Sequence, residues 1–213
     1  MDFCYRELPY ELDPFDTKTF SEDPMEFYVG ATDVETGKCT FHLCTDGKEE
    51  DMLWLRAAAS MPAVSIPVPI DGHLYLDGGI SDAVPYAYME QVGYDRNVII
   101  LTQPKGYRKK PVPAHAMKLL FRKMPKIAEA MRNRHIMYNR QMDELDEMED
   151  KKSALILRPP VNLGIGHTEK DPKELERVYQ IGRGVAEERL GEIRSWLTTR
   201  SDGRSVSDIP PES

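Results

Sequence analysis

Two Asp-Gly pairs lie six residues apart in PIDGHLYLDGGISD, residues 69–82, and the second carries an extra glycine. Asp71-Gly72, between SIPVPI and HLYLD, is a hairpin signal, because a type I′ turn needs positive φ at both central residues. The second pair is different. On the strand HLYLD (73–77), His73, Tyr75 and Asp77 share one face, and Leu74 and Leu76 share the other. Asp77 thus ends a strand in line with polar residues, the place where α/β sites form. Gly78 and Gly79 follow it and remove side chains that would block approach. This suits a carboxylate presented to a partner. A loop aspartate followed by a turn glycine pair fits the pattern equally well.

The elements that must position Asp77 alternate along the chain. EFYVGATDV (26–34) reads as a buried strand, turned by VETGK into a second strand, CTFHLC (39–44). KEEDMLWLRAAASM (48–61) reads as a helix with acids in its first turn and Met52, Leu53, Leu55 and Ala59 on its apolar stripe. SIPVPI, interrupted by Pro67 and Pro69, reads as an edge strand. Val84-Pro85 opens a helix that ends near Gly93, and NVIILTQ (97–103) is a buried strand. PKGYRKKPVPAH (104–115) is a linker or exposed loop. A helix follows from about 114, is interrupted at Pro125 and resumes to about 151, before the short strand ALILRPP (154–160). DPKE (171–174) starts one last helix, with Asp171 as N-cap, Pro172 in first position and Glu174 closing a capping box. Leu175, Val178, Tyr179, Leu190, Ile193 and Trp196 lie on its apolar face, with Gly182 and Ala186 allowing close docking. Residues 1–24 read as irregular and 201–213 as a disordered tail. Alternation of strands and helices makes the class α/β.

With 213 residues and a net charge of −8, bulk charge argues against general nucleic-acid binding. Cys4, Cys39 and Cys44 form no CxxC pair, which fits a reducing cytoplasm, and no run approaches a membrane span. The five histidines show no metal-ligand spacing, so neither a metal nor another cofactor is expected. His73 and Asp77 read as neighbours on one strand face rather than a working pair, and Asp33 as a strand-end or turn residue. LGIG (163–166) lacks the strand-loop-helix context of a nucleotide loop.

The order ATDVETGK, AAASMPAVSIPVPIDGHLYLDGGISDAVP, NVIILTQP and RPPVNLGIGHTEKDPKELERVYQIG resembles bacterial patatin-like acyl hydrolases, over most of residues 26–190. Ala58 to Pro85 is the most specific part. The resemblance implies a three-layer α/β/α sandwich and a serine–aspartate dyad without histidine, in which Asp77 is the aspartate and Gly78 and Gly79 shape its turn. It implies lipid acyl esters as substrates and hydrolysis through an acyl-enzyme. A glycine-rich loop would stabilise the oxyanion. An exposed carboxylate is a weak base at neutral pH, so the site must be partly desolvated or must act by orienting the hydroxyl.

No serine here lies in G-x-S-x-G, the strand-to-helix elbow that carries the family's nucleophile. The nearest match, GISDA (79–83), belongs to the Asp-Gly-Gly segment, and no glycine-rich oxyanion loop is present. Both elements precede ATDVETGK in the family. The expectation is therefore the C-terminal part of a patatin-like domain over residues 1–103, a mostly helical extension over 104–200, and a chain inactive alone. Partners would then include the missing N-terminal segment or a second copy. The alternative is a non-catalytic interaction or membrane-surface module on the same scaffold.

From Lys105 to Arg140 there are eleven Lys/Arg and one acid, Glu129, whereas Asp143 to Asp150 holds six acids in eight residues. That order opposes the helix dipole. Lys118, Arg122, Lys123 and Lys126, interleaved with Met117, Leu119, Leu120, Phe121, Met124 and Ile127, suit a peripheral contact with anionic lipid. A solvated basic face with its apolar side on the core is the competing reading.

Overall fold

The computed structural model describes residues 3–166 and 168–198. The tail expected over 201–213 and His167 lie outside the described residues. The chain begins with a π-helical segment over Phe3–Leu12, then α1 (Thr17–Glu22), β1 (Phe27–Asp33), β2 (Cys39–Cys44) and α2 (Glu49–Ala58). It continues with β3 (Val68–Ile70), β4 (His73–Asp77), α3 (Tyr86–Gln91), β5 (Asn97–Ile100), α4 (Ala114–Leu120) and α5 (Pro125–Asp150). The last elements are β6 (Ala154–Leu157), α6 (Pro172–Glu188) and α7 (Leu190–Thr198). Helices near the start replace the irregular segment expected there. Asp16 begins α1 because its carboxylate accepts the Thr19 N–H at 2.9 Å and the Thr19 hydroxyl at 2.7 Å.

The chain forms two compact units that interleave along the sequence, crossing at 85/86, 108/109 and 139/140. The first holds residues up to 85 and 109–139. Its sheet is antiparallel throughout, in the order β2-β1-β4-β3. The expected β1–β2 hairpin is present. So is the two-residue β3–β4 turn, with Asp71 at φ 49° and Gly72 at φ 81°, both left-handed as a type I′ turn requires. β3 is an edge strand, which a proline at position 69 tolerates. Val29, Ala31, Val68, Ile70 and Tyr75 pack with Trp54 and Ala57 of α2. Leu76, adjacent to Tyr75 on β4, packs instead with Val34, Ile80, Phe121, Ile127 and Ala128. Strand alternation thus places α2 on one face of the sheet and the segment around α4 and the start of α5 on the other. Each large side chain buried this way contributes about 1.5–3 kcal/mol.

The inward stripe of α2 is Asp51, Trp54 and Ala57, while Leu53 and Ala59 are exposed, contrary to the apolar pattern. The reason is Asp51, only 2% exposed. Its Oδ2 accepts the N–H groups of Thr45, Asp46 and Gly47 at 2.8–3.0 Å, and its Oδ1 meets His42 Nε2 at 2.7 Å. The His42 ring stacks on Trp54, with centroids 5.0 Å apart. A fully bonded carboxylate can turn inward where an apolar stripe alone would have placed Leu53.

The second unit holds residues 86–108 and those from 140 onward. β5 and β6 pair in parallel, Asn97 opposite Ala154 through Ile100 opposite Leu157. Arg158 ties to Asp146 at 2.9 Å and Glu149 at 3.1 Å in the last turns of α5. The expected last helix is two helices. The break falls at Arg189, φ −102° and ψ 7°, whose guanidinium donates to the Ile156 carbonyl and to Glu192. Asp171 caps α6 through the Lys173 N–H at 2.9 Å, but Glu174 closes no capping box. It pairs with Arg177, and Glu169 takes the Asp171 N–H instead. Among the described residues, nothing outside its own stretch of helix lies within 4 Å of a Cβ placed on Gly182, so the docking expected there is not made among them, and Gly182 and Ala186 line an open apolar groove. Arg96 anchors α7 by donating to the Trp196 carbonyl at 2.8 Å and covering its indole ring at 4.1 Å. Among the described residues no helix is long and apolar enough to cross a membrane.

Candidate functional site

Asp77 closes β4 opposite Ala31 of β1. Its N–H donates to the Ser60 carbonyl at 2.9 Å, and its carbonyl accepts the Thr32 hydroxyl at 2.8 Å. The backbone is therefore held on both sides before the side chain is considered. The carboxylate is half-buried, and its Oδ1 accepts the Gly79 N–H at 2.7 Å, starting a single 3₁₀ turn over Gly78–Ile80.

The two glycines have different reasons. A Cβ on Gly78 would lie 2.4 Å from the Gly30 carbonyl oxygen, so Gly78 serves the approach of β1 rather than access to the carboxylate. A Cβ on Gly79 would lie 3.1 Å from Asp77 Oδ1 and 3.7 Å from Arg134 Nη2. Gly79 is the one that leaves the carboxylate room. Arg134, from α5, locks the turn by donating Nε to the Gly79 carbonyl at 2.7 Å.

Two hydroxyl or thiol groups lie close by. Ser81 Oγ is 2.8 Å from Thr32 Oγ1, which is itself bonded to the Asp77 carbonyl, so the Ser81 hydroxyl belongs to a structural chain. Cys39 is pushed up to about 12, first by burial and then by the Asp82 and Asp77 carboxylates, against a hydrogen bond with Ser81. A thiol held protonated is no nucleophile at neutral pH. Lys109 interacts with the charges of this turn. Burial first, then repulsion by Arg134, brings its ammonium down to about 8, while Asp77 acts in the opposite sense.

Residues 6–89 match the model of the patatin-like phospholipase family. The match spans the Asp-Gly-Gly turn, β1 to β4 and the start of α3. Residues 124–198 match a second model, described as a domain of unknown function (DUF6363). The patatin-like region thus contains Asp77, Gly78 and Gly79, whereas Lys109 lies between the two matched regions and Arg134 within the second.

Other residues singled out in the sequence are placed elsewhere. His73 does not serve Asp77. Its Nδ1 lies 3.0 Å from Asp33 Oδ2, and Asp33 Oδ1 accepts the Glu35 and Thr36 N–H groups, as a turn residue does. Lys118, Arg122, Lys123 and Lys126 are all exposed, and Lys126 pairs with Glu129 at 3.3 Å. The apolar residues between them divide: Phe121 and Ile127 join the core with Met117 and Met124 packed against it, while Leu119 and Leu120 are 76% and 56% exposed. His42, Cys44 and Asp51 offer ligand atoms within 4.8 Å of one another. The donor set does not suit a metal, because Asp51 Oδ2 already accepts three N–H groups and burial, then Asp51, raises the Cys44 thiol to about 12.

Sequence reasoning missed the Gly30 contact, Thr32, Lys109 and Arg134. A glycine inside a strand marks a close backbone approach, and Gly30 carries that signal. Lys109 and Arg134 carry none, since only folding brings them to residue 77.

Proposed function

We propose that this chain is part of a patatin-like acyl hydrolase and that Asp77 is the aspartate of its serine–aspartate dyad. The supporting observation is the held carboxylate: backbone fixed by Ser60 and Thr32, Oδ1 fixed by the Gly79 N–H, and Oδ2 left to a serine hydroxyl. The nucleophile comes from outside these 213 residues, on an elbow that completes a three-layer α/β/α domain with an oxyanion loop. The serine oxygen attacks the ester carbonyl, its proton passes to Asp77, and water then resolves the acyl-enzyme. Gly79 leaves room beside the carboxylate that a Cβ would crowd, and Arg134 holds the Gly79 carbonyl.

The chain alone should leave a short-chain p-nitrophenyl ester intact. The same chain combined with a patatin-like segment bearing the elbow should turn it over, and Asp77→Asn should lower that rate about 10²–10⁴-fold. Turnover by the 213 residues alone that is lost in Asp77→Ala would overturn the claim that the serine lies elsewhere. Full activity of Asp77→Asn in the combined assay would overturn the dyad.

The exposed pair Leu119 and Leu120, flanked by Lys118, Arg122 and Lys123, supports a peripheral contact with anionic lipid, which would bring such a site to its substrate.

A further inference from the structure

We propose that Lys109 and Arg134 form a phosphate-binding subsite beside the Asp77 turn. This goes beyond the hydrolase reading and does not depend on it. Arg134 and Tyr138 stand one turn apart on α5, so their side chains are neighbours on that helix. Lys109 is clamped to the same stretch. Its N–H donates to Asn139 Oδ1 at 2.8 Å and its carbonyl accepts from Asn139 Nδ2 at 3.0 Å. The clamp sets Lys109 Nζ 3.9 Å from the centre of the Tyr138 ring. Arg134 uses Nε for the Gly79 carbonyl, and its Nη2 lies 3.7 Å from the open position beside Gly79. Among the described residues, neither cation has an ion-pair partner.

Lys109 and Arg134 are thus both half-buried beside the Asp77 turn, where Asp77 is the carboxylate that acts on Lys109 and Asp82 acts with it on Cys39. Charge interactions in such a place are stronger than in water. At Lys109 the repulsion by Arg134 exceeds the attraction by Asp77. An oxyanion lying between the two cations would relieve it. A guanidinium edge and an ammonium off its plane suit a tetrahedral group that can present separate oxygens to each. A phosphate satisfies this, either free or as the ester group of a lipid headgroup. A second lone carboxylate would add little to what Asp77 provides.

The test is calorimetric titration of the full chain with inorganic phosphate, read together with the titration midpoint of Lys109 by NMR of 13C-methylated lysines. Saturable binding is expected, with the Lys109 midpoint rising from about 8 as phosphate is added. Lys109→Met and Arg134→Met should each weaken binding about tenfold or more, and Arg134→Lys should restore most of it. Lys173→Glu, an exposed position in the first turn of α6 with no part in either site, serves as the folded control and should bind as the parent does. Asp77→Asn should tighten binding several-fold by removing a repelling charge, whether or not Asp77 serves a serine. A soluble short-chain phosphodiester, titrated as a second arm, separates the sources: binding in both arms assigns a headgroup phosphate, and binding of inorganic phosphate alone assigns a free one. No saturable binding in either arm, or binding unchanged in both methionine variants, overturns the proposal while leaving the ester assay to judge the dyad.

Discussion

A Cβ on Gly78 would lie 2.4 Å from the carbonyl oxygen of Gly30 and 2.8 Å from its carbon. β1 and the turn after Asp77 therefore meet backbone to backbone, and neither atom belongs to a side chain that could swing aside. Gly78→Ala should destabilise the fold by about 3 kcal/mol, read from the urea midpoint at unchanged slope. Gly79→Ala should act differently. Its Cβ would press at 3.1 Å on the Asp77 carboxylate, so stability should fall by less while the Asp77 side-chain resonance moves. Equal losses in the two variants would refute this division of labour.

Much of the positioning is legible in the sequence, and the reason is local. Asp71-Gly72 demands its turn, Pro69 demands an edge, and Pro125 separates α4 from α5. Each depends on φ or on a missing N–H, which residue type determines directly. The failures depend on distant partners. Leu53 faces solvent because Asp51 finds four donors that periodicity cannot show. The last helix breaks at Arg189, whose guanidinium reaches the Ile156 carbonyl in β6. Asp77 could be singled out because it ends an alternating strand, but its companions Lys109 and Arg134 are 32 and 57 positions away in sequence.

Asp51 should be a main source of acid sensitivity. Burial opposes its ionisation, but His42 and the Asp46, Gly47 and Thr45 N–H groups outweigh this and hold its carboxyl below the ordinary range. Asp33 is likewise held low, against burial, by the Thr36 and Glu35 N–H groups and His73. A depressed folded-state value contributes stability above the unfolded pKa, near ~3.9, that is lost as pH falls through the folded one. Stability should therefore be level through mildly acidic pH and decline below about pH 4. Asp51→Ala should cost about 3 kcal/mol at neutral pH, because it leaves buried N–H groups unpaired, and should flatten the acid decline. An unchanged acid limb in that variant would show that other carboxylates control it.

The thiols should separate by environment. Cys4 is exposed, whereas Cys39 and Cys44 are each raised to about 12, burial being the first cause in both. Since the thiolate is the reacting form, iodoacetamide at pH 8 should modify Cys4 first and the other two only after denaturation. Peptide mapping over time checks this. Early labelling of Cys39 in folded protein would mean that the region around Ser81 opens readily.

Leu119 and Leu120 are a different case, because nothing in the first unit's core needs them outside. Phe121, one residue on, is fully buried, so the chain turns there and leaves two leucines on the solvent side. Lys118, Arg122 and Lys123 surround them, all exposed. If this corner meets lipid, apolar insertion and charge attraction should contribute separately. Changing Lys118, Arg122, Lys123 and Lys126 to Glu should abolish sedimentation with phosphatidylglycerol vesicles and leave the weak binding to phosphatidylcholine vesicles unchanged. Leu119→Ser with Leu120→Ser should weaken both, and unfolding midpoints should stay near the parent value because these side chains are outside the core. Raising salt should reproduce the charge-reversal result in the parent protein, since screening acts on the same term. Vesicle binding indifferent to all three changes would leave the corner as a solvated basic face and remove the membrane reading.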